Sequence, residues 1–132
     1  MQFIPIKTRT VLPPKDDLFS VFDEYLPPLK EGDILLVTSK VLGIHQGRCI
    51  PISEVSDKYA LMRKEAEKYL EPDYSAKYPI MLTLKHHTLI ASAGIDESNA
   101  NGYYVFWPEN IQQTAREIWE YVRKVRGVEK LV

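Results

Sequence analysis

The stretch Ala93-Gly94-Ile95-Asp96-Glu97-Ser98-Asn99-Ala100-Asn101-Gly102 separates two apolar runs, Thr88 to Ala91 and Tyr103 to Trp107. Two carboxylates, one hydroxyl and two amides fall within six positions of it. Glycines near its ends tolerate positive φ and let backbone come close to a ligand. Oxygen-rich side chains of this kind suit hard cations such as Mg²⁺ or Mn²⁺. They are also the ordinary residues of turns. Composition alone leaves both readings open, but either one makes this a polar connection between two strands.

Working outward, Ile80 to Lys85 and Thr88 to Ala91 form a hairpin joined near His86-His87, and the Met81, Thr83, Lys85 alternation fits a strand with one wet face. Adjacent residues of an extended chain point opposite ways, so the two histidines are poorly placed to clamp one ion. His45 has no partner at metal-site spacing. Beyond the loop, Tyr103 to Trp107 reads as a strand. Pro108 opens a last helix where a missing N–H costs nothing. Its apolar face is Ile111, Ala115, Ile118, Trp119, Val122 and Val125 or Arg126, and Gly127 stops it. Val128 to Val132 has the character of a strand just beginning.

Toward the N-terminus, Ser53 to Glu71 reads as a helix capped by Ser56 or Asp57, with Lys58 and its charged neighbours on a solvated surface. Arg48 to Ile52 is a strand, and Val41 to Gly47 a short helix or a loop. Ile34-Leu35-Leu36-Val37-Thr38 is a continuous apolar run, as in a strand buried on both faces. Ser39 and Lys40 follow it, where polar groups meet either a ligand or only a helix start. Leu18, Val21, Phe22, Tyr25 and Leu26 repeat at helical spacing after Asp16 or Asp17 and before Pro27-Pro28. Phe3 to Ile6 suggests a first strand. Strands and helices do not alternate regularly. The expected fold is therefore α+β, one domain over residues 1–132, with a mainly antiparallel or mixed sheet and about three packed helices.

The totals exclude several classes of function. A net charge of −1 gives no general pull toward nucleic acid or membrane. No apolar run approaches the roughly 20 residues of a membrane span. The single Cys49 forms no internal disulfide. With no export signal at the start, a cytoplasmic protein is expected. The phosphate loop, the dinucleotide fingerprint, the paired-cysteine zinc site and the nucleophile elbow are absent. Cys49 lies in an apolar strand, where a thiol is inert.

Two stretches together resemble the coenzyme F-420-0:gamma-glutamyl ligase family. One is Glu31-Gly32-Asp33-Ile34-Leu35-Leu36-Val37-Thr38-Ser39-Lys40-Val41, ending in Gly47-Arg48. The other is Ala93-Gly94-Ile95-Asp96-Glu97-Ser98-Asn99, followed by Pro108-Glu109 and the closing helix. The resemblance implies a GTP-dependent ligase that activates the terminal carboxylate of a deazaflavin coenzyme as an acyl phosphate. The amine of L-glutamate then displaces the phosphate to form an amide. It implies a divalent metal, Mn²⁺ or Mg²⁺, bound by Asp96. It places Asn99, Ser39 and Lys40 at the nucleotide and suggests a homodimer, and it assigns no catalytic residue. This sequence departs from the family in three places. Ile44 stands where a second lysine is usual, His45-Gln46 replaces Ala-Glu, and Val11-Leu12-Pro13-Pro14 only loosely matches an early Gly-Leu-Pro stretch. Family members also continue past this length, into a segment whose Asp and adjacent hydroxyl residue complete the metal site. The expectation is thus half of a ligase site. A non-catalytic module that binds nucleotide, metal or a partner chain is the alternative.

Overall fold

The computed structural model describes residues 2–132. It is built on antiparallel pairing throughout its named strands, as expected for the α+β class. Strand β1 (Cys49–Pro51) pairs with β5 (Tyr103–Val105) in one two-stranded sheet. Strands β2 (Lys68–Leu70), β3 (Leu82–Lys85) and β4 (Thr88–Ala91) form a second sheet in the order β2-β3-β4. Four helices accompany them: α1 (Leu18–Tyr25), α2 (Ser39–His45), α3 (Lys58–Glu65) and α4 (Ile111–Arg126).

Helix α1 forms where its periodicity places it. Asp17 caps it by accepting from the Phe19 and Ser20 N–H groups, and Leu18, Val21 and Phe22 are buried. These residues pack with Leu26, Leu42, Ile118, Val122, Val128 and Leu131 into the largest apolar cluster. Gly127 ends α4 in the left-handed conformation, with φ 67° and its N–H on the Arg123 carbonyl.

Several expected elements come out differently. Helix α4 begins at Ile111 behind Asn110, three residues later than Pro108 suggested. Pro108 is instead fully buried in the core. The buried face of α4 is Thr114, Ile118 and Val122, while Ile111, Ala115 and Trp119 line an open apolar groove. The helix expected over Ser53 to Glu71 is only α3, preceded by a 3-10 turn. Tyr69 and Leu70 leave the helix because their backbone pairs with Thr83 and Leu82, and a paired ladder outweighs weak local preference. Phe3 to Ile6 forms no strand; Phe3 and Ile4 are exposed, and Pro5 lacks a ladder donor.

The run Ile34 to Thr38 is not buried on both faces. Leu35 and Val37 pack against the core, whereas Ile34 is 52% and Leu36 75% exposed. Its backbone meets the end of the chain: the Leu35 N–H donates to Val132 O at 2.8 Å and the Val132 N–H to Asp33 O at 3.1 Å. Residues 130–132 therefore run beside residues 32–35, although neither segment becomes a regular strand.

The β3–β4 hairpin is as expected, but its dry face carries the unexpected residues. Met81, Thr83 and Lys85 are buried, while Leu70, Leu82 and Leu89 face outward on the second sheet. The turn residues His86 and His87 both have positive φ, 48° and 58°. Two-residue hairpin turns with two positive φ values favour Asn-Gly. Replacing His86-His87 by Asn-Gly is expected to raise stability by about 1 kcal/mol. A higher midpoint of thermal or urea unfolding checks this.

Glycine at position 43 reflects a close approach. A Cβ there would lie 2.4 Å from the Phe106 carbonyl oxygen and 3.0 Å from Val105 Cγ1. Alanine in a helix gains about 1 kcal/mol over glycine. Pushing α2 off a backbone carbonyl costs about 1–3 kcal/mol or more. Gly43→Ala should therefore be net destabilising, and because it shifts α2 it should also disturb Lys40. Urea unfolding with a lowered midpoint is the expected result.

Candidate functional site

The polar loop is aimed by backbone before any side chain acts. After β4 the chain turns through Ser92, Ala93 and Gly94, all left-handed at φ 55°, 53° and 72°. Non-glycine residues in this region cost energy and persist only where their surroundings hold them. Here the Ala93 N–H donates to the buried Thr83 Oγ1 at 2.9 Å, and the Thr83 hydroxyl donates to Ile90 O at 2.5 Å. The chain then drops Ile95 into a core cluster with Met62, Met81 and Tyr104. Asp96 pairs with Val105 through two backbone hydrogen bonds of 2.9 and 2.8 Å. Its backbone is therefore fixed on the edge of β5.

Helix α2 is fixed on the same strand. Thr38 caps it by accepting from the Val41 N–H. Gly43 lets it lie against Phe106 and Val105, and Ile44 packs with Val105 and Ala100. Lys40, one turn before Ile44, lies on the same helix face. Its ammonium group reaches Asp96 Oδ2 at 2.8 Å and Ser98 Oγ at 3.3 Å, and it also donates to the Ser98 carbonyl. Asp96 Oδ1 accepts both the Ser98 N–H and the Ser98 hydroxyl, each at 2.7 Å. Burial alone would push the Asp96 carboxyl up. The Lys40 and Ser98 hydrogen bonds outweigh burial and hold it below its ordinary value. The pair is about one quarter and two fifths exposed, so it adds only about 0–1 kcal/mol to stability.

Of the four residues singled out in the sequence, Lys40 and Asp96 are thus in direct contact. Ser39 is exposed beside Lys40 at the start of α2, and Asn99 is exposed beside Ser98 with φ 53°. Neither of their side chains makes a hydrogen bond among the described residues. Ser98 was visible in the sequence as a turn residue two positions after an aspartate. Lys58, one of the solvated charges, adds a surface ion pair that the sequence does not show: it reaches Glu97 at 2.6 Å and lies 5.5 Å from the centre of the Tyr104 ring. Asp96 pairs with Val105, whereas Glu97 and Lys58 gather beside Tyr104, so the two ion pairs flank the strand on different faces. An apolar groove along Leu36, Leu42, Ile111, Ala115, Trp119 and Val132 shares no residue with this cluster.

A divalent cation would find only oxygen donors here: the Asp96 carboxylate and the hydroxyl and carbonyl of Ser98. That donor type fits a hard cation. Among the described residues no three His, Cys, Asp or Glu side chains come together. A single carboxylate suits Mg²⁺ of the kind that takes its remaining ligands from water and substrate phosphates.

The family model described as F420-0:Gamma-glutamyl ligase matches residues 5–132 of the chain. The chain belongs to this family. It is similar to the Coenzyme F420:L-glutamate ligase of Methanopyrus kandleri, with 27% identity covering 95% of the chain and 55% of that relative. It is also similar to the protein of the same name from Methanosarcina mazei, at 27% identity over 85% of the chain and 49% of the relative. The chain spans about half the length of these curated relatives.

The residues at the three places that depart from the resemblance include several with a structural role. Ile44 is 3% exposed and fills the cluster under β5, so a lysine there would have to leave the core. His45 accepts the Leu18 N–H at 3.2 Å, helping to start α1. Gln46 grips Glu109 with both ends of its amide, Nε2 to the carbonyl and Oε1 from the N–H, each at 2.9 Å. It also donates to Thr114 Oγ1 at 2.9 Å, steadying the first turn of α4. Arg48 and Glu109, one from each family-like stretch, form an ion pair. Cys49 is half-buried and burial pushes its thiol up, which agrees with an inert thiol. No helix is long and apolar enough to cross a membrane among the described residues.

Proposed function

We propose that this chain is part of an acid–amino-acid ligase that uses GTP and a divalent metal, Mn²⁺ or Mg²⁺, to add L-glutamate to a deazaflavin coenzyme or a related carboxylate. The reading is carried by one observation: the contact between Lys40 and Asp96, which brings the two family-like stretches to one point. Family membership and the names of the relatives support the class of reaction.

In this reading Lys40 turns its charge to a phosphate group and Asp96, with Ser98 beside it, holds the metal. The bound metal would neutralise phosphate charge during carboxylate activation. Asn99 offers amide donors and an acceptor to the nucleotide, and Ser39 a hydroxyl. The fixed backbone of Asp96 on β5 supplies preorganisation, so little rearrangement is needed beyond side chains. The second reading is a binding module without turnover, in which Asp96 is the carboxylate that meets Lys40 and the pair holds a ligand without reaction. Calorimetric titration of GTP with Mn²⁺ tests binding in both cases, and amide formation from GTP, glutamate and the coenzyme separates them.

A cytoplasmic homodimer belongs to the same reading. The outward leucines Leu70 and Leu89, 67% and 68% exposed, favour a covered sheet face. Sedimentation showing only monomer at high concentration would count against it.

A further inference from the structure

We propose that Lys40 is an internal counter-ion that keeps the metal off Asp96 until an anionic ligand draws it away. The inference rests on the site reading above, and it deepens it into an order of assembly. An ammonium group has three protons to donate. All three of Lys40's have acceptors on one loop: Asp96 Oδ2, Ser98 Oγ and the Ser98 carbonyl. The same lysine therefore has nothing left for a phosphate while this contact stands. Asp96 is committed in the same way. Oδ2 holds the ammonium, and Oδ1 holds the N–H and O–H of Ser98. A cation approaching the free protein meets a carboxylate whose charge is already matched.

A triphosphate changes both sides at once. Its oxygens replace Asp96 and Ser98 as acceptors for Lys40, which frees Oδ2 and the Ser98 carbonyl for a metal that the phosphates themselves help to hold. Neither the phosphate nor the metal gains its full contact alone. Their binding is therefore positively coupled, and the coupling is reciprocal. The other charged pair of the loop, Lys58 with Glu97, lies beside Tyr104 and leaves Asp96 to Lys40.

The test is Mn²⁺ titration of the full chain, followed by electron paramagnetic resonance, without nucleotide. Wild type, Lys40→Met, Lys40→Arg and Lys40→Met/Asp96→Asn are compared, each checked for folding by circular dichroism. Lys40→Met should bind Mn²⁺ about tenfold more tightly than wild type, a typical coupling. Lys40→Arg should stay near wild type, because it keeps the cation. The added Asp96→Asn should cancel the gain. Inorganic tripolyphosphate should tighten Mn²⁺ on wild type more than it does on Lys40→Met, after correction for Mn²⁺ held by free tripolyphosphate. Unchanged or weaker Mn²⁺ binding by Lys40→Met overturns the proposal, even when wild type binds GTP with Mn²⁺ and the ligase reading stands. A gain in Lys40→Met that depends on Asp96, in a chain that binds no GTP, upholds the counter-ion role and removes GTP binding by this chain on its own.

Discussion

Asp96→Ala is expected to weaken GTP binding in the presence of Mn²⁺ by at least about 30-fold, the effect of losing 2 kcal/mol or more from a charge-assisted contact. Asp96 acts twice. Among the described residues its carboxylate is the only one paired with Lys40, and it also organises the loop by accepting from the Ser98 N–H and hydroxyl. Alanine removes both functions, so Ser98 and Lys40 lose their common anchor. Asp96→Asn separates the two. An amide oxygen still accepts from Ser98, but the charge that a metal requires is gone. Titration calorimetry on both variants should give loss in each, with the loop better ordered in the asparagine variant by amide hydrogen exchange. Wild-type affinity in the alanine variant would remove Asp96 from the site. The backbone pairing of Asp96 with Val105 does not use the side chain, so the fold should survive either change.

The largest expected effect on stability lies elsewhere. Glu65 Oε2 accepts from Lys85 Nζ at 2.5 Å and from Arg48 at 2.7 Å. The Lys85 side chain is only 5% exposed. Removing one partner of a buried ion pair leaves an uncompensated charge and costs about 3–5 kcal/mol. Glu65→Ala should therefore lower the urea midpoint sharply. Arg48 keeps Glu109 as a second partner, so the cost falls mainly on Lys85. The double variant Glu65→Leu/Lys85→Met removes both charges and should recover most of the loss, because an apolar pair of similar size is often as stable. A Glu65→Ala loss below about 1 kcal/mol would place Lys85 in water after all. The network also ties α3, β3 and the start of β1 together, so its loss should loosen the support beneath the polar loop.

Family kinship was legible from two short stretches, and the same stretches single out Lys40 and Asp96, which the fold brings into contact. Helix α1, the β3–β4 hairpin and the Gly127 stop were legible too, because each depends on local rules. A helical stripe with an aspartate cap, alternation around a tight turn and a left-handed glycine need no distant partner to be recognised. The Ile34 to Thr38 run has an exposed face that its composition does not reveal, because composition reports hydrophobicity and not what lies on the outer side. The partner of Lys58 was not legible because a charged residue on a helix looks the same whether or not a loop 39 residues away meets it. Tyr69 and Leu70 carried a helical pattern that pairing with β3 overrode.

By itself the sequence determined the class of fold, the family and the chemical character of the loop, since these follow from short-range pattern and residue type. Only the tertiary structure decided that Lys40 and Asp96 neutralise each other, that Ile44 is core and that Lys85 is buried on Glu65. Those are questions of which charges share a space. Two residues 56 positions apart meet only because α2 and the loop both rest on β5.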